Sequence, residues 1–166
     1  MPPWPGEKRA VGGYTLFVRR AAATTAPSEP AVFVHGLGGA STNWTDLMYL
    51  LRDRVDGYAP DLPGFGHSPA PPDQNYRLDS HVRAVAALIE ELGAPVHLFG
   101  NSLGGAATTR LAAERPELVR TLTLVAPALP SPFPRREPLR LALFLTPGLG
   151  RLLFTRTRRE PAEVQA

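Results

Sequence analysis

"LFGNSLGGAAT" (residues 98–108) sets one serine, Ser102, between glycines where an apolar run ends and a helix-forming run begins. The run before it, "PVHLFG" (95–100), reads as a buried strand, and "LGGAATTRLAAERP" (103–116) reads as a helix. Strand, Gly100-Asn101-Ser102-Leu103-Gly104 and helix together form the G-x-S-x-G nucleophile elbow in the context it requires. The turn must be tight and its backbone strained for the serine oxygen to project above a sheet. Glycines two before and two after the serine are needed because a Cβ there would collide with the neighbouring strand or helix. The amide of Leu103, at the helix start, faces any oxyanion that develops at the serine.

Reading outward from the elbow, "AVFVH" (31–35) is a short, continuously apolar run of the kind a strand buried on both faces carries, and "YTLFVRR" (14–20) alternates as a strand. "NWTDLMYLLRD" (43–53) has helical apolar spacing with Asn43 as N-cap. A short strand near Gly57 to Pro60 runs into the loop "DLPGFGHSPAPPDQN". The clearest helix covers about Leu78 to Leu92, with Val82, Val85, Ala86, Leu88, Ile89 and Leu92 on one side and Gly93 stopping it. "LVRTLTLVAP" (118–127) reads as a further strand. Strands alternating with helices predict an α/β fold, a mostly parallel sheet with helices on both faces, with chemistry in the loops at the carboxyl ends of the strands.

One such loop is His35-Gly36-Leu37-Gly38-Gly39, whose backbone can approach a tetrahedral centre and donate a second amide, that of Leu37. A phosphate-binding loop is the rival reading, but the lysine of G-x-x-x-x-G-K-[ST] is missing and G-x-G-x-x-G does not fit residues 36–41.

"HGLGG…NW", "APDLPGFGHS", "HVRAVAALIEELG" and "GNSLGGAAT", in this order and spacing, resemble the amino-terminal half of an α/β-hydrolase-fold enzyme over about residues 14–127. The resemblance implies that Ser102 is the nucleophile, that Leu103 and Leu37 supply oxyanion-hole amides, and that Gly36, Gly38 and Asn101 border the substrate. It also implies a core over residues 1–127 and the start of a helical cap over 128–166, in which Leu139, Leu141, Leu143, Phe144, Leu145, Leu149, Leu152, Leu153 and Phe154 would face inward. A serine at 102 argues against the family's dehalogenases and epoxide hydrolases, which use a carboxylate there. What remains is an ester-like or other acyl substrate, with no metal or organic cofactor. Two alternatives stand beside it. "GNSLGGA" is similar to the elbow of the C–C bond hydrolases of ring-cleavage products, although Gly39 breaks their H-G-x-G-P-G, and a non-catalytic binding module could keep the same pocket.

The hydroxyl of a serine needs a base, and in this family the order is Ser, then Asp or Glu, then His. No histidine follows His97. His35 is expected to be structural in its loop, His67 to pack in the "GFGHS" loop or stand at the substrate's edge, His81 to be solvated or capping, and His97 to be a satisfied core histidine. Asp61 is expected to tie its loop by hydrogen bonds. Glu114 and Glu117 lie around the end of the helix after the elbow, and Glu137, Glu160 and Glu163 lie in the tail. The sequence thus reads as a truncated one, lacking the last strands with the triad acid and base. The "TLTLV" strand would then be an apolar edge open to self-association.

Composition narrows the partners. The net charge of +3 splits into +4 from residue 135 onward and −1 before it, so the basicity is not spread over a folded face as nucleic-acid binding requires. The proline breaks of the tail leave no long amphipathic helix, which makes a membrane surface an unlikely partner. With no cysteine there is neither a disulfide framework nor a thiolate metal site. The first residues, "MPPWPGEKRAVGG", show no apolar secretory segment, which points to the cytoplasm.

Overall fold

The strands that carry the two glycine loops lie side by side in a computed structural model, which describes residues 2–129 apart from Pro72 and Ala94. The strands are β1 (Gly6–Val11), β2 (Tyr14–Ala21), β3 (Glu29–Val34), β4 (Val55–Pro60), β5 (Val96–Asn101) and β6 (Val119–Val125). The helices are α1 (Thr45–Leu51), α2 (Leu78–Leu92) and α3 (Leu103–Glu114), with 3-10 turns at Ser41–Trp44 and Pro116–Leu118. The expected inward-facing cap residues, and Glu137, Glu160 and Glu163, lie outside the described residues.

The sheet runs β1-β2-β4-β3-β5-β6. β3 pairs in parallel with both β4 and β5, and β6 pairs in parallel with β5, while β2 is antiparallel to β1 and β4. The chain leaves β3 for β4 on one side and returns past it to β5 on the other. The crevice beyond the carboxyl ends of β3 and β5 is therefore the switch point where such sheets place their ligands.

Alternation along each strand divides the core between the two faces. Val32 and Val34 of β3 and Val96 and Leu98 of β5 pack with Val82, Val85, Leu88 and Ile89 of α2 and with Ala107 and Leu111 of α3. Ala31 and Phe33, one residue out of step, point to the opposite face, where Trp44 and Met48 cover them with Phe99 alongside. The Phe33 and Phe99 rings stack at 4.5 Å between centroids. The amphipathic pattern of α2 matches the expectation, and Gly93 ends it in the left-handed region at φ 79°.

Two elements differ from the sequence reading. β1 was not expected, yet Val11-Gly12-Gly13-Tyr14 forms a two-residue hairpin with φ of 52° and 83° at its glycines, the mirror-image turn that Gly-Gly favours. Asn43 is not the N-cap of α1: it lies inside the preceding 3-10 turn, where its Oδ1 accepts from the Ala40 amide at 2.7 Å. β6 ends the described sheet, with Leu124 and Val125 exposed. Among the described residues no helix is long and apolar enough to cross a membrane.

Phe33 is fully buried between Trp44 and Phe99, so Phe33→Ala is expected to cost about 3–5 kcal/mol in urea unfolding. Leu50→Ala, at a side chain 70% exposed, should stay within about 0.5 kcal/mol of the parent. Equal losses in the two variants would contradict the assigned core.

Candidate active site

Ser102 has φ 48° and ψ −113°, a conformation that a residue with a side chain adopts only when its surroundings enforce it. Its amide donates to Val125 O at 3.1 Å, and its carbonyl accepts from Ala106 N at 3.0 Å and Ala128 N at 2.9 Å. β6 and α3 thus hold both sides of the strained residue. Asn101 adds a second tie to β6, donating from Nδ2 to Val125 O at 3.0 Å.

The glycines around the serine are set by lack of space. A Cβ on Gly100 would stand 2.2 Å from Thr108 Oγ1 and 2.8 Å from Gly104 O, and one on Gly104 would stand 2.4 Å from Val34 O and 2.5 Å from His35 O. α3 therefore starts directly against the end of β3. From the other side, a Cβ on Gly36 would meet Asn101 Oδ1 at 2.9 Å and Ser102 Cβ at 3.0 Å. This contact seats the His35–Gly39 loop on the serine. Leu37, the next residue, is 77% exposed, and Gly38 takes φ 72°. Leu103 occupies the first turn of α3, where amides have no acceptor within the helix.

The four histidines are engaged elsewhere. His35 is buried; its Nδ1 donates to Gly36 O at 2.8 Å while Nε2 accepts from Leu62 N at 2.9 Å, which fixes a neutral tautomer and locks Gly36 to the loop after β4. Asp61 is buried in that loop, its Oδ1 accepting from Ser41 N at 2.6 Å and its Oδ2 from His67 N at 2.8 Å. These two residues play the structural parts expected of them. The His67 ring packs edge-on against Phe17 at 4.8 Å.

His81 is not solvated. It is buried beside Phe65, whose ring also meets that of His35, and its Nδ1 has no hydrogen-bond partner. The apolar side of α2 extends one turn further toward its start than the surrounding residue types suggest. Burial pushes the His35 imidazole below the ordinary histidine value, and burial together with the nearby His35 does the same to His81. His97 is satisfied but is not a core residue: 23% of its side chain is exposed, and it bridges Thr121 and Glu29. Glu114 pairs with Arg110, and Glu117 with Arg115, at the far end of α3.

No histidine or carboxylate among the described residues hydrogen-bonds Ser102 Oγ. The structure does bring Gly36 and Asn101 against the serine, with Leu37, Gly38 and Leu103 adjoining in sequence. It adds an open cavity of about 260 Å³ lined by Asn43, Trp44, Asn101 and Val125. Val125 was missed because only strand pairing shows that it lies beside the elbow. Among the described residues there is no cluster of three or more side chains able to hold a metal ion.

A family model described as the alpha/beta hydrolase fold matches residues 30–163. Lipase 3 of Moraxella sp. (strain TA144) is 36% identical over 102 residues, which cover 58% of this chain and 31% of the lipase. A haloalkane dehalogenase of Bradyrhizobium diazoefficiens is 36% identical over 121 residues, covering 72% and 38%. A crystal structure of a haloalkane dehalogenase from Bradyrhizobium elkani superposes with a TM-score of 0.75 at 32% identity, covering 93% of this chain and 54% of that one. The matched region is thus about a third of the length of these two curated relatives and about half of that of the solved structure.

Gly104→Ala is expected to lower stability by about 1–3 kcal/mol, because its clash is with the backbone of β3 rather than with a movable side chain. Urea unfolding checks this, and a loss under about 0.5 kcal/mol would contradict the packing. Acid supplies a second test. With both imidazoles depressed in the folded state, the unfolded chain binds more protons once the pH falls below the ordinary value of 6.5. Unfolding free energy measured in urea should therefore fall as the pH drops below that value, and His81→Leu should flatten the fall.

Proposed function

As the chain belongs to the α/β-hydrolase fold family, we propose that it is a serine hydrolase acting on ester-like or other acyl substrates through an acyl-serine intermediate at Ser102. The observation that carries the proposal is the strained backbone of Ser102, tied to β6 and α3, with Gly36 packed against its Cβ. A chain does not hold a serine this way for packing alone, since the strain costs on the order of 1–3 kcal/mol.

In the proposed reaction Ser102 Oγ attacks the acyl carbon, and the carbonyl oxygen gathers negative charge. The amides of Leu37 and Leu103 flank that position and stabilise the charge as it forms. The first helical turn of α3 adds its positive end. Collapse of the tetrahedral centre expels the alcohol and leaves the acyl group on Ser102, and water then releases it. The cavity lined by Asn43, Trp44, Asn101 and Val125 offers room for a small acyl or alcohol group. The imidazole that takes the serine proton is not one of the four histidines, so the proposal requires it to come from outside these 166 residues.

Lipases, an esterase and haloalkane dehalogenases are all among the similar proteins, and the serine favours the ester-directed ones. Displacing a halide with a serine oxygen would leave an ether, which water does not cleave as it does an ester. An acyl-serine has no such dead end.

Hydrolysis of a short-chain p-nitrophenyl ester tests the proposal. In protein that also supplies that imidazole, Ser102→Ala is expected to lower kcat by roughly 10⁴–10⁶ while leaving the unfolding midpoint close to the parent's. Unchanged turnover in that variant, or ligand binding with no turnover by protein that supplies the imidazole, would overturn the proposal.

A further inference from the structure

At the opposite end of the sheet from Ser102, three side chains from three strands form an unbroken hydrogen-bonded chain. Glu29 opens β3, His97 is the second residue of β5, and Thr121 is directly opposite His97 on β6. Glu29 Oε2 lies 2.8 Å from His97 Nε2, and Thr121 Oγ1 lies 2.8 Å from His97 Nδ1. Arg120 Nη1 holds the other carboxylate oxygen at 3.2 Å, so Glu29 is oriented from both sides.

The chemistry fixes the direction of this chain. An ionised carboxylate only accepts hydrogen bonds, so in the neutral imidazole the proton sits on Nε2 and points to Glu29. The Nδ1 lone pair is then left to accept from the Thr121 hydroxyl. A hydroxyl donating to an imidazole that is itself oriented by a carboxylate is the arrangement that activates a nucleophile. Among the described residues Ser102 has no such partner, whereas Thr121 has the whole set. Half of the Glu29 side chain and about a quarter of the His97 side chain are exposed, and Thr121 is exposed, so a small molecule can reach the group.

We infer that Thr121, with His97 as general base and Glu29 as its positioning residue, is a second acyl-accepting hydroxyl, separate from Ser102 and reactive toward small activated esters. In the step, Thr121 Oγ1 bonds to the acyl carbon and its proton passes to His97 Nδ1. The bond from that carbon to the aryloxide oxygen breaks, and the phenolate departs with the bonding electron pair. The step as written rests on general-base help alone, so it needs a good leaving group. Turnover ends at the acyl-threonine unless water removes the acyl group.

The test uses the full 166-residue chain carrying Ser102→Ala, so that its outcome is independent of the reading of Ser102. The chain is incubated with p-nitrophenyl acetate, and acetylation of the peptide containing Thr121 is followed by mass spectrometry. Acetyl on Thr121 is expected to form roughly a hundredfold faster than in the same chain with His97→Ala. It should be absent with Thr121→Val and slowed by Glu29→Gln, which keeps the shape of the carboxylate but not its charge. His97→Gln, which can still bridge the two strands, separates loss of the base from loss of the fold: it should remain folded by circular dichroism and label as slowly as His97→Ala. No acetyl on Thr121, or the same rate with and without His97, would overturn the inference.

Discussion

Three positions around Ser102 have no room for a Cβ, and the arrangement of the site follows from that. Gly104 lets α3 begin against the backbone of β3, Gly100 lets β5 turn under that helix, and Gly36 lets the neighbouring loop rest on the serine itself. Close approach at these points holds the backbone of Ser102 at a positive φ. The strain is tolerable because it is shared: β6 accepts the serine amide, while α3 and the segment after β6 donate to its carbonyl. Any side chain at Gly104 would push α3 off β3 and relax the elbow with it.

The parallel sheet supplies the framework for this contact. β3 and β5 are neighbours although they are not consecutive in the chain, so their two following loops meet at one crevice. His35 and Asp61 then pin the loop after β3 to the loop after β4. One bonds Gly36 to Leu62 and the other bonds Ser41 to His67, and both are buried and satisfied. Gly66 completes the fit, since a Cβ there would stand 2.1 Å from Asp61 Oδ2.

Those parts of the arrangement that are local in the chain are legible in its amino-acid sequence alone. G-x-S-x-G between an apolar strand and a helix, the glycine loop after the other central strand, and the periodicity of α2 are short-range patterns, and each corresponds to an element with the expected neighbours. The hairpin that adds β1 is also written locally, in Gly12-Gly13, but the polar residues of β1 give no alternation to mark a strand. The histidines are harder because their surroundings are set by tertiary packing. His81 looks like an exposed polar residue near a helix start, yet it is buried, with Phe65 of the loop after β4 against its ring. His97 sits in a run that reads as core, yet it lies at the amino end of β5 with 23% of its side chain exposed. Its partners Glu29 and Thr121 are 68 and 24 residues away, a separation that no local motif records.

The central claim is that the elbow aims Ser102 at an acyl carbon. The most direct measurement is to treat the protein with an alkyl phosphonate ester that forms a stable adduct with activated serine, and to map the modified residue by mass spectrometry. A single stoichiometric adduct at Ser102 is expected in protein that hydrolyses esters. Ester hydrolysis continuing at full rate with Ser102 unmodified would contradict it.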